Sequence, residues 1–235
     1  MNRKPSDELL DHGQVSTNDR LACLDDIWRI NQRWGGISGT LAMFEHFFAR
    51  TGRHPIRVLD VGTGDGRLAA RLQRELASLN FKAEFTVLDR QLIHLRGDGS
   101  HGPAIHRVAG DVLSLPFRPG SFEVVMCNLF LHHFSGEAAT RLLRSLAAAA
   151  GEAVIVNDLD RRWLPYLLIR FAPLIARNRI SRLDGAASVR QAYTRGEMAA
   201  LAEETLPGTC ETLTLPGFRN GMILWREGSV VQQAR

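Results

Sequence analysis

An acid and three closely spaced glycines form the stretch of this sequence whose residue types best suit chemistry. Asp60 is followed by Gly62, Gly64 and Gly66, and residues 58–61, which are apolar apart from Asp60, read as a short buried strand. A bend that carries few side chains lets a ligand come close to the main chain. The sequence therefore predicts a ligand site where this strand ends.

The residues after the loop predict a helix, because apolar side chains recur there at helical spacing. These are Leu68, Ala69, Leu72, Leu76 and Leu79. A strand, a glycine loop and a helix in this order form the first half of a nucleotide-binding βαβ unit. A dinucleotide fingerprint has its third glycine five residues after the first, but that position here is Arg67, which argues against a pyrophosphate ligand and a nicotinamide-dependent oxidoreductase.

The run 58–66, VLDVGTGDG, resembles the first motif of the class I S-adenosylmethionine (SAM)-dependent methyltransferases. The resemblance implies that SAM is the cofactor and that Asp60, Val61, Gly62 and Gly64 contact it. The later strands should then supply the other contacts that this cofactor needs.

Two further acids follow predicted strands. Asp89 comes after the strand 85–88, where an ionised acid can accept hydrogen bonds from both hydroxyls of a ribose. In the resembling family, an acid after the third strand accepts a hydrogen bond from the adenine amino group, and the next main-chain amide meets a ring nitrogen. Asp111 and Val112 fit that pattern after the strand 105–109. A solvated loop acid is the alternative for Asp89, and helix capping is the alternative for Asp111.

The fourth predicted strand, 122–127, leads into Asn128 and the pair His132 and His133. The resemblance implies that polar residues here look into the active cleft, and it adds Asn128 and Arg90 to the cofactor contacts. Histidine titrates near physiological pH and could remove a proton from an acceptor hydroxyl. His133 and, after it, His132 are therefore candidate catalytic bases, and a packed, hydrogen-bonded histidine is the alternative.

Strands that alternate with helices predict an α/β fold with a doubly wound, mostly parallel sheet and ligands at the carboxyl ends of its strands. The fifth strand is predicted at 153–156, and an antiparallel pair at 209–215 and 222–225 brings the sheet to seven strands. Helices are predicted at 137–149 and 197–204. The resemblance identifies this architecture with the Rossmann-like fold of SAM methyltransferases.

We predict two parts, an N-terminal helical extension at residues 1–54 and a methyltransferase domain at 55–235. Thr17 or Asn18 is expected to cap the first helix of the extension, and Ser38 the second. The resemblance implies that such an extension lies over the cofactor as a lid and helps to form the substrate cavity.

A helical insertion after the fifth strand, residues 159–193, is expected to cap the substrate site. Its front part, 163–175, is apolar nearly all round but too short to span a bilayer, so it is buried in protein, walls a cavity or lies at a membrane surface. Arginines follow it, which suggests an amphiphilic acceptor with an aromatic or acyl body and a phenolate or carboxylate head. Candidate acceptor contacts are Asn157, Asp158, Arg190 and Tyr193, with Asn31 and Arg33 at the end of the first helix.

The expected activity is methyl transfer from SAM to a small amphiphilic or aromatic molecule, with O-methylation of a phenolic or polyketide-type hydroxyl favoured. Segments 156–159, 188–190 and 193–197 also resemble bacterial methyltransferases of polyketide and phenolic-lipid pathways. The alternatives are C-methylation in quinone-type biosynthesis, methylation of nucleic acid, and a SAM-binding module without catalysis. No metal site is expected, because the histidines show no paired spacing with acids and methyl transfer does not need a metal.

Bulk composition agrees with one α/β domain of 235 residues. The net charge of +4 is modest and spread along the chain, and residues 128–131 lack an Asn/Asp-Pro-Pro-aromatic motif, so a nucleic-acid partner is not expected. Three widely spaced cysteines indicate reduced thiols in a cytoplasmic protein. The polar residues 1–14 do not read as a signal peptide.

Overall fold

The computed structural model describes residues 1–6, 8–11, 15–91, 94–96, 105–171 and 176–226. In this part of the chain, one sheet contains β1 (Ile56–Val61), β2 (Ala83–Asp89), β3 (His106–Ala109), β4 (Phe122–Asn128), β5 (Ala150–Leu159), β6 (Cys210–Leu215) and β7 (Arg219–Trp225). Its order is β3-β2-β1-β4-β5-β7-β6. The first five strands pair in parallel, and β7 runs antiparallel to β5 and β6. The predicted doubly wound, seven-stranded sheet is confirmed.

Strands β1 and β4 are neighbours in the middle of the sheet. From β1 the chain continues outward to β2 and β3 on one side, and from β4 it continues to β5 on the other. Chain crossovers leave this point in opposite directions, so a crevice opens at the carboxyl ends of these two strands. The helices are α1 (Thr17–Arg33), α2 (Gly36–Thr51), α3 (Arg67–Ser78), α4 (Glu137–Ala149), α5 (Trp163–Phe171), α6 (Arg179–Gln191) and α7 (Arg195–Thr205). Every helix among the described residues is too short or too polar to cross a bilayer.

The starts of the first two helices differ from the prediction. Ser16 caps α1, because its hydroxyl accepts a hydrogen bond from the Asp19 amide at 3.1 Å. Helix α2 begins at Gly36 instead of near Ser38, directly after Gly35 with a φ of 77°. A Cβ at Gly35 would lie 1.9 Å from the carbonyl oxygen of Pro216, so contact with a distant loop sets this boundary.

Helix α2 belongs to the core of the sheet. Met43, Phe44, Phe47 and Phe48 are buried in one cluster with apolar side chains of β1, β2 and β7. The predicted boundary after residue 54 therefore does not separate two cores, because the sheet needs α2 to cover one of its faces. Helix α1 differs, since it packs across the carboxyl ends of the strands and contributes to the cavity described below.

The opposite face of the sheet is covered by α4 and α7, whose buried side chains join those of β4 and β5 in a second cluster. The insertion forms α5 and α6, which pack on each other. Residues 172–175 of the predicted apolar segment and residues 227–235 at the end of the predicted domain lie outside the described residues.

Phe44→Ala tests whether α2 is part of the core. Phe44 is fully buried, so we expect the free energy of unfolding to fall by about 3–5 kcal/mol in urea titrations. Leu79→Ala, at a site 44% exposed, is the control and should cost less than about 1 kcal/mol. Equal small losses in both variants would mean that α2 is a dispensable cover.

Candidate active site

A cavity of about 790 Å³ opens at the carboxyl ends of β1, β2 and β4. The structure brings many of the residues predicted from the sequence to its wall. These are Asp60, Gly62, Gly64, Asp89, Arg90, Asp111, Val112, Asn128, His132 and His133. Val61 is instead fully buried in the core cluster below the cavity. Parallel strands end at one edge of a sheet, which is why residues far apart in sequence meet here.

The glycine loop is shaped by contact with the segment after β4. Gly62 has a φ of 64°, and a Cβ at this position would lie 2.3 Å from the ring of Phe130. The Gly62 amide donates a 2.9 Å hydrogen bond to the carbonyl of Leu88, which fastens the loop to β2. A larger residue at Gly62 would therefore displace an aromatic side chain from the wall of the cavity.

Asp89 joins the glycine loop to the end of β2. Its Oδ2 accepts a hydrogen bond from the Gly64 amide at 2.9 Å, and its Oδ1 accepts one from the Gln91 amide at 2.8 Å. The His94 Nδ1 lies 3.2 Å from Oδ1. A carboxylate has about four acceptor sites, so Asp89 keeps acceptor capacity for a ligand while the protein fixes its direction.

Asp60 lies below the loop and is 1% exposed. Burial raises its pKa to about 7, and the nearby Asp89 carboxylate acts in the same direction. The Thr63 hydroxyl donates to Asp60 Oδ2 at 2.6 Å and partly opposes this rise. A positive charge placed near Asp60 would therefore favour its ionised form.

Asp111 caps a short 3₁₀-helix at Val112–Ser114, through a 2.9 Å hydrogen bond from the Leu113 amide to Oδ1. The capping alternative is thus observed, and Asp111 also lines the cavity. One oxygen can cap the helix while the other faces a ligand, so the adenine contact remains a prediction.

Sequence reasoning missed Arg219, a buried arginine that fixes the floor of the cavity. Its guanidinium donates to the Trp34 carbonyl at 2.6 Å, to Asn31 Oδ1 at 2.9 Å and to Asn128 Oδ1 at 2.8 Å. Burial lowers its pKa to about 10, against the effect of Asp158. Its partners lie 62 to 188 residues away in sequence, and no local pattern signals such a contact.

Arg219 also sets the orientation of the Asn128 amide. Because Asn128 Oδ1 accepts from Arg219, its Nδ2 is turned the other way, and it has no hydrogen-bond partner among the described residues. Asn128 is 9% exposed and lines the cavity. A buried amide donor without a partner is costly, and an acceptor atom of a ligand would satisfy it.

A buried chain of charges runs from β5 to the N-terminal segment. His132 Nδ1 lies 2.7 Å from Asp158 Oδ1, and the His132 amide donates to Asp158 Oδ2 at 3.0 Å. On its other side, His132 Nε2 lies 3.6 Å from Glu8 Oε1. Burial alone would lower the pKa of His132, but Asp158 and Glu8 raise it to about 10. His132 is therefore an imidazolium at neutral pH and is poorly suited to act as a base.

His133 is the more accessible histidine of the pair. About 25% of its side chain is exposed, it lines the cavity, and its Nδ1 lies 4.0 Å from Glu8 Oε1. Glu8, His132 and His133 have possible ligand atoms within 4.8 Å of one another, as a metal site would require. Glu8 Oε1 already accepts hydrogen bonds from Ser188 at 2.6 Å and Gln191 at 2.5 Å. This favours an ion-pair network, and the prediction that no metal is used remains a prediction.

Of the six predicted acceptor contacts, Asn157, Asp158, Arg190 and Tyr193 do not line this cavity. The Asn157 amide donates to the Gly35 carbonyl at 3.1 Å, and the Tyr193 hydroxyl donates to the Phe134 carbonyl at 2.8 Å. Asp158 lies behind His132, and Arg190 lines a separate surface pocket. The prediction that these side chains meet the acceptor directly is therefore corrected: Asn157, Asp158 and Tyr193 are used in internal hydrogen bonds.

Helix α1 of the N-terminal extension lines part of the cavity, and a role of the extension as a lid remains a prediction. Helix α1 contributes Cys23, Leu24, Ile27, Trp28 and Asn31 to its wall. Arg33, at the end of the same helix, is exposed and is not among the lining residues. Ile169 of α5 and Ser181, Asp184 and Ser188 of α6 complete the wall.

Comparison with known proteins agrees with this geometry. The family described as a methyltransferase domain matches residues 58–152. A malonyl-[acyl-carrier protein] O-methyltransferase of Pseudescherichia vulneris is 34% identical over 117 residues, which are 49% of this chain and 43% of that protein. The match thus spans less than half the length of that relative.

Solved structures share the fold at low sequence identity. The plantazolicin methyltransferase BpumL, crystallised with a monoazolic desmethylPZN analog and SAH, has a TM-score of 0.66 at 13% identity over 88% of this chain and 90% of that chain. A SAM-dependent methyltransferase from Aquifex aeolicus has a TM-score of 0.59 at 14% identity, over 90% and 99%. The DszA carbon methyltransferase has a TM-score of 0.64 at 19% identity, over 93% and 62%.

His132→Gln tests the buried charge chain. The substitution leaves Asp158 and Glu8 buried without the cation between them, so we expect a loss of about 3–5 kcal/mol in the free energy of unfolding near pH 6. The pKa of His132 is raised in the folded state, so its contribution to the free energy of unfolding is complete below about pH 6.5. This contribution is lost as the pH rises toward about 10.

Urea unfolding at several pH values should therefore show the gap between wild type and His132→Gln narrowing above about pH 6.5. His106→Gln, at an exposed position of β3, is the matched control and should change little. A gap that stays constant up to pH 10 would contradict a charged His132.

Proposed function

We propose that this chain methylates a hydroxyl of a small amphiphilic molecule. Its residues 58–152 match a methyltransferase domain, and its sheet has the order found in the fold of SAM-dependent methyltransferases. The cavity at the carboxyl ends of β1, β2 and β4 is the observation that carries this proposal. The glycine loop and Asp89 form its cofactor half, and α1, α6 and the two histidines form its acceptor half.

The residues of the cofactor half fit SAM. Gly62 lines the cavity without a side chain of its own, and the Asn128 Nδ2 donor lacks a protein partner among the described residues. Asp89 would hold the ribose hydroxyls, and Asp111 with the Val112 amide would hold the adenine. Bound SAM supplies a methyl group activated by its sulfonium, so the protein must only position the acceptor and take up its proton.

The acceptor half is lined mainly by apolar side chains, and most of its charged side chains are acids. Apolar side chains come from several segments of the cavity wall: Leu10, Ile27, Ile30, Leu159 and Ile169. Glu8, Asp26 and Asp184 are its acids, and Arg90, on the cofactor side, is the one arginine among the described lining residues. These three acids outnumber the imidazolium of His132 in the acceptor half, so an anionic carboxylate would meet unfavourable charge here, which favours a neutral hydroxyl on an apolar body.

His133 is the residue we propose as the base. A phenol with a pKa near 10 is mostly protonated at neutral pH, so a neighbouring base would assist the transfer. His133 faces the cavity, and Glu8 lies at ion-pair distance from its Nδ1. Glu8 would stabilise the imidazolium that forms when His133 accepts the proton, and His132 would hold Glu8 in position.

Asp89→Ala tests the cofactor half. Loss of an ionised hydrogen-bonding partner should weaken binding of S-adenosylhomocysteine by about 1–3 kcal/mol in calorimetric titrations. Glu84→Gln, at an exposed position of the same strand, is the control and should bind normally. Asp89 also holds the glycine loop, so Asp89→Asn should be titrated alongside Asp89→Ala, and a thermal melt should check that both variants are folded. Unchanged affinity in a folded Asp89→Ala protein would refute the assignment.

His133→Gln tests the proposed base. With a phenolic acceptor, we expect kcat/KM to fall by about 10²–10⁴ at pH 7, and the deficit to shrink toward pH 10, where the phenol ionises without help. His106→Gln is again the matched control. A deficit that does not depend on pH would mean that His133 only packs against the acceptor.

Transfer of labelled methyl groups from SAM to a panel of acceptors separates the proposal from its alternatives. The panel contains a long-chain alkylphenol, a quinone precursor, a fatty acid, a malonyl thioester and tRNA. We expect ether formation on the alkylphenol. Label found only on the malonyl thioester would favour the malonyl O-methylation that the name of the Pseudescherichia relative gives, and label only on tRNA would reject a small-molecule acceptor.

A further inference from the structure

Helix α5 carries a large apolar face that points away from the protein. Trp163, Leu164, Leu167 and Phe171 lie within about 100° of arc at 3.6 residues per turn. Their exposed fractions are 61%, 54%, 46% and 68%. Ile169, on the other side of the helix, is buried and lines the cavity. The outward face is therefore not the wall of the cavity, and it exposes unusually large apolar side chains to water.

A cationic pocket adjoins this face. It has a volume of about 240 Å³, and its lining includes Lys4, Arg170, Arg190 and Tyr166 but no acid among the described residues. Tyr166 and Arg170 lie about 60° and 20° from Trp163 around the helix, so the pocket borders the apolar face directly. The rings of Trp163 and Tyr166 pack edge to face, with their centres 5.9 Å apart.

The wider surroundings are also basic. Residues 161–195 contain eight arginines and one acid, Asp184. Asp184 is buried and accepts hydrogen bonds from the amides of Leu9 and Leu10, so it does not offset charge at the surface. Arg161 and Arg162 are paired with Glu197 and Asp160, so the charge next to the apolar face comes from Lys4, Arg170 and Arg190, whose pocket has no acid among its described lining residues. An apolar face bordered by these cations matches the acyl boundary and the phosphates of an anionic bilayer.

We propose that α5 docks on a membrane that contains anionic phospholipid. The side chains of Trp163, Leu164, Leu167 and Phe171 enter the boundary between head groups and acyl chains, where Trp and Tyr are favoured. Lys4, Arg170 and Arg190 bind lipid phosphates. Docking at this surface does not require the cofactor, so it can be tested apart from the proposed function. If that function holds, α5 brings the acceptor half of the cavity next to the lipid phase.

Cosedimentation of the whole protein with vesicles tests the proposal. We expect binding to vesicles with roughly 30% phosphatidylglycerol to exceed binding to pure phosphatidylcholine vesicles by at least about 10-fold. Binding should weaken as the salt concentration rises from about 0.05 to about 0.5 M. Brominated lipids should quench tryptophan fluorescence, and Trp163→Phe should remove most of that quenching, because Trp163 is the exposed tryptophan of the docking face.

Two pairs of substitutions separate the apolar and the charged contributions. Trp163→Ala with Phe171→Ala, and Arg170→Gln with Arg190→Gln, should each lower vesicle partitioning by at least about 10-fold. Leu79→Ala with Arg74→Gln, at exposed positions in and just after the end of α3, is the matched control and should not lower it. Binding of S-adenosylhomocysteine should stay unchanged in all three proteins, so failure of docking and failure of the cofactor site are distinguishable.

Equal sedimentation of wild type and both docking-face variants would overturn the proposal, as would absence of binding to every vesicle. An acidic acyl carrier protein that binds this face, with no vesicle binding, would also overturn it and assign the surface to a protein partner.

Discussion

The buried guanidinium of Arg219 is the interaction on which the cavity depends most. It holds the end of α1, the end of β4 and the end of β5 through Asn31, Asn128 and Asn157, and it also binds the Trp34 carbonyl. These partners are neutral, so the cation is solvated by dipoles instead of being paired with a carboxylate, and burial lowers its pKa to about 10. Removal of the arginine would leave several buried amide oxygens without donors at the floor of the cavity.

The sequence predicted those parts of the site that depend on patterns within a short stretch of residues. The end of β1, Gly62 and Asp89 could be found because a buried strand, a bend and an acid follow one another within a short stretch. Strand order then places Asp111 and Asn128 on the same edge, since parallel strands share one direction. The helix at 137–149 was predicted at its observed bounds, because its apolar stripe has a clear period of 3.6 residues.

Contacts between distant segments could not be predicted in the same way. Glu8 enters the site from the N-terminal segment, and neither its neighbours nor its spacing indicates that it meets His132 and Ser188. Asn157 and Tyr193 have the residue types of ligand contacts, but internal carbonyl groups use their donors. Residue type alone does not say which way a side chain points, and burial decides this only after packing is known.

The two halves of the cavity differ in how they are held. The cofactor half is held in place by hydrogen bonds from main-chain amides of the glycine loop to the end of β2. The acceptor half is assembled from the N-terminal segment, α1 and α6. Asp184 and Glu8 join the N-terminal segment to α6, and Asp26 of α1 accepts hydrogen bonds from the amides of Arg177 and Asn178 just before α6. Rearrangement of this half therefore requires no break in the sheet.

The acid at the end of β1 links occupancy of the cavity to proton exchange with the buffer. With a pKa of about 7, Asp60 is close to half protonated in neutral solution. Arrival of a cationic ligand would expel that proton, because the carboxylate is then the favoured form. The heat of binding would include the ionisation enthalpy of the buffer that takes up the proton. The affinity for the cationic ligand would rise as the solution becomes more alkaline.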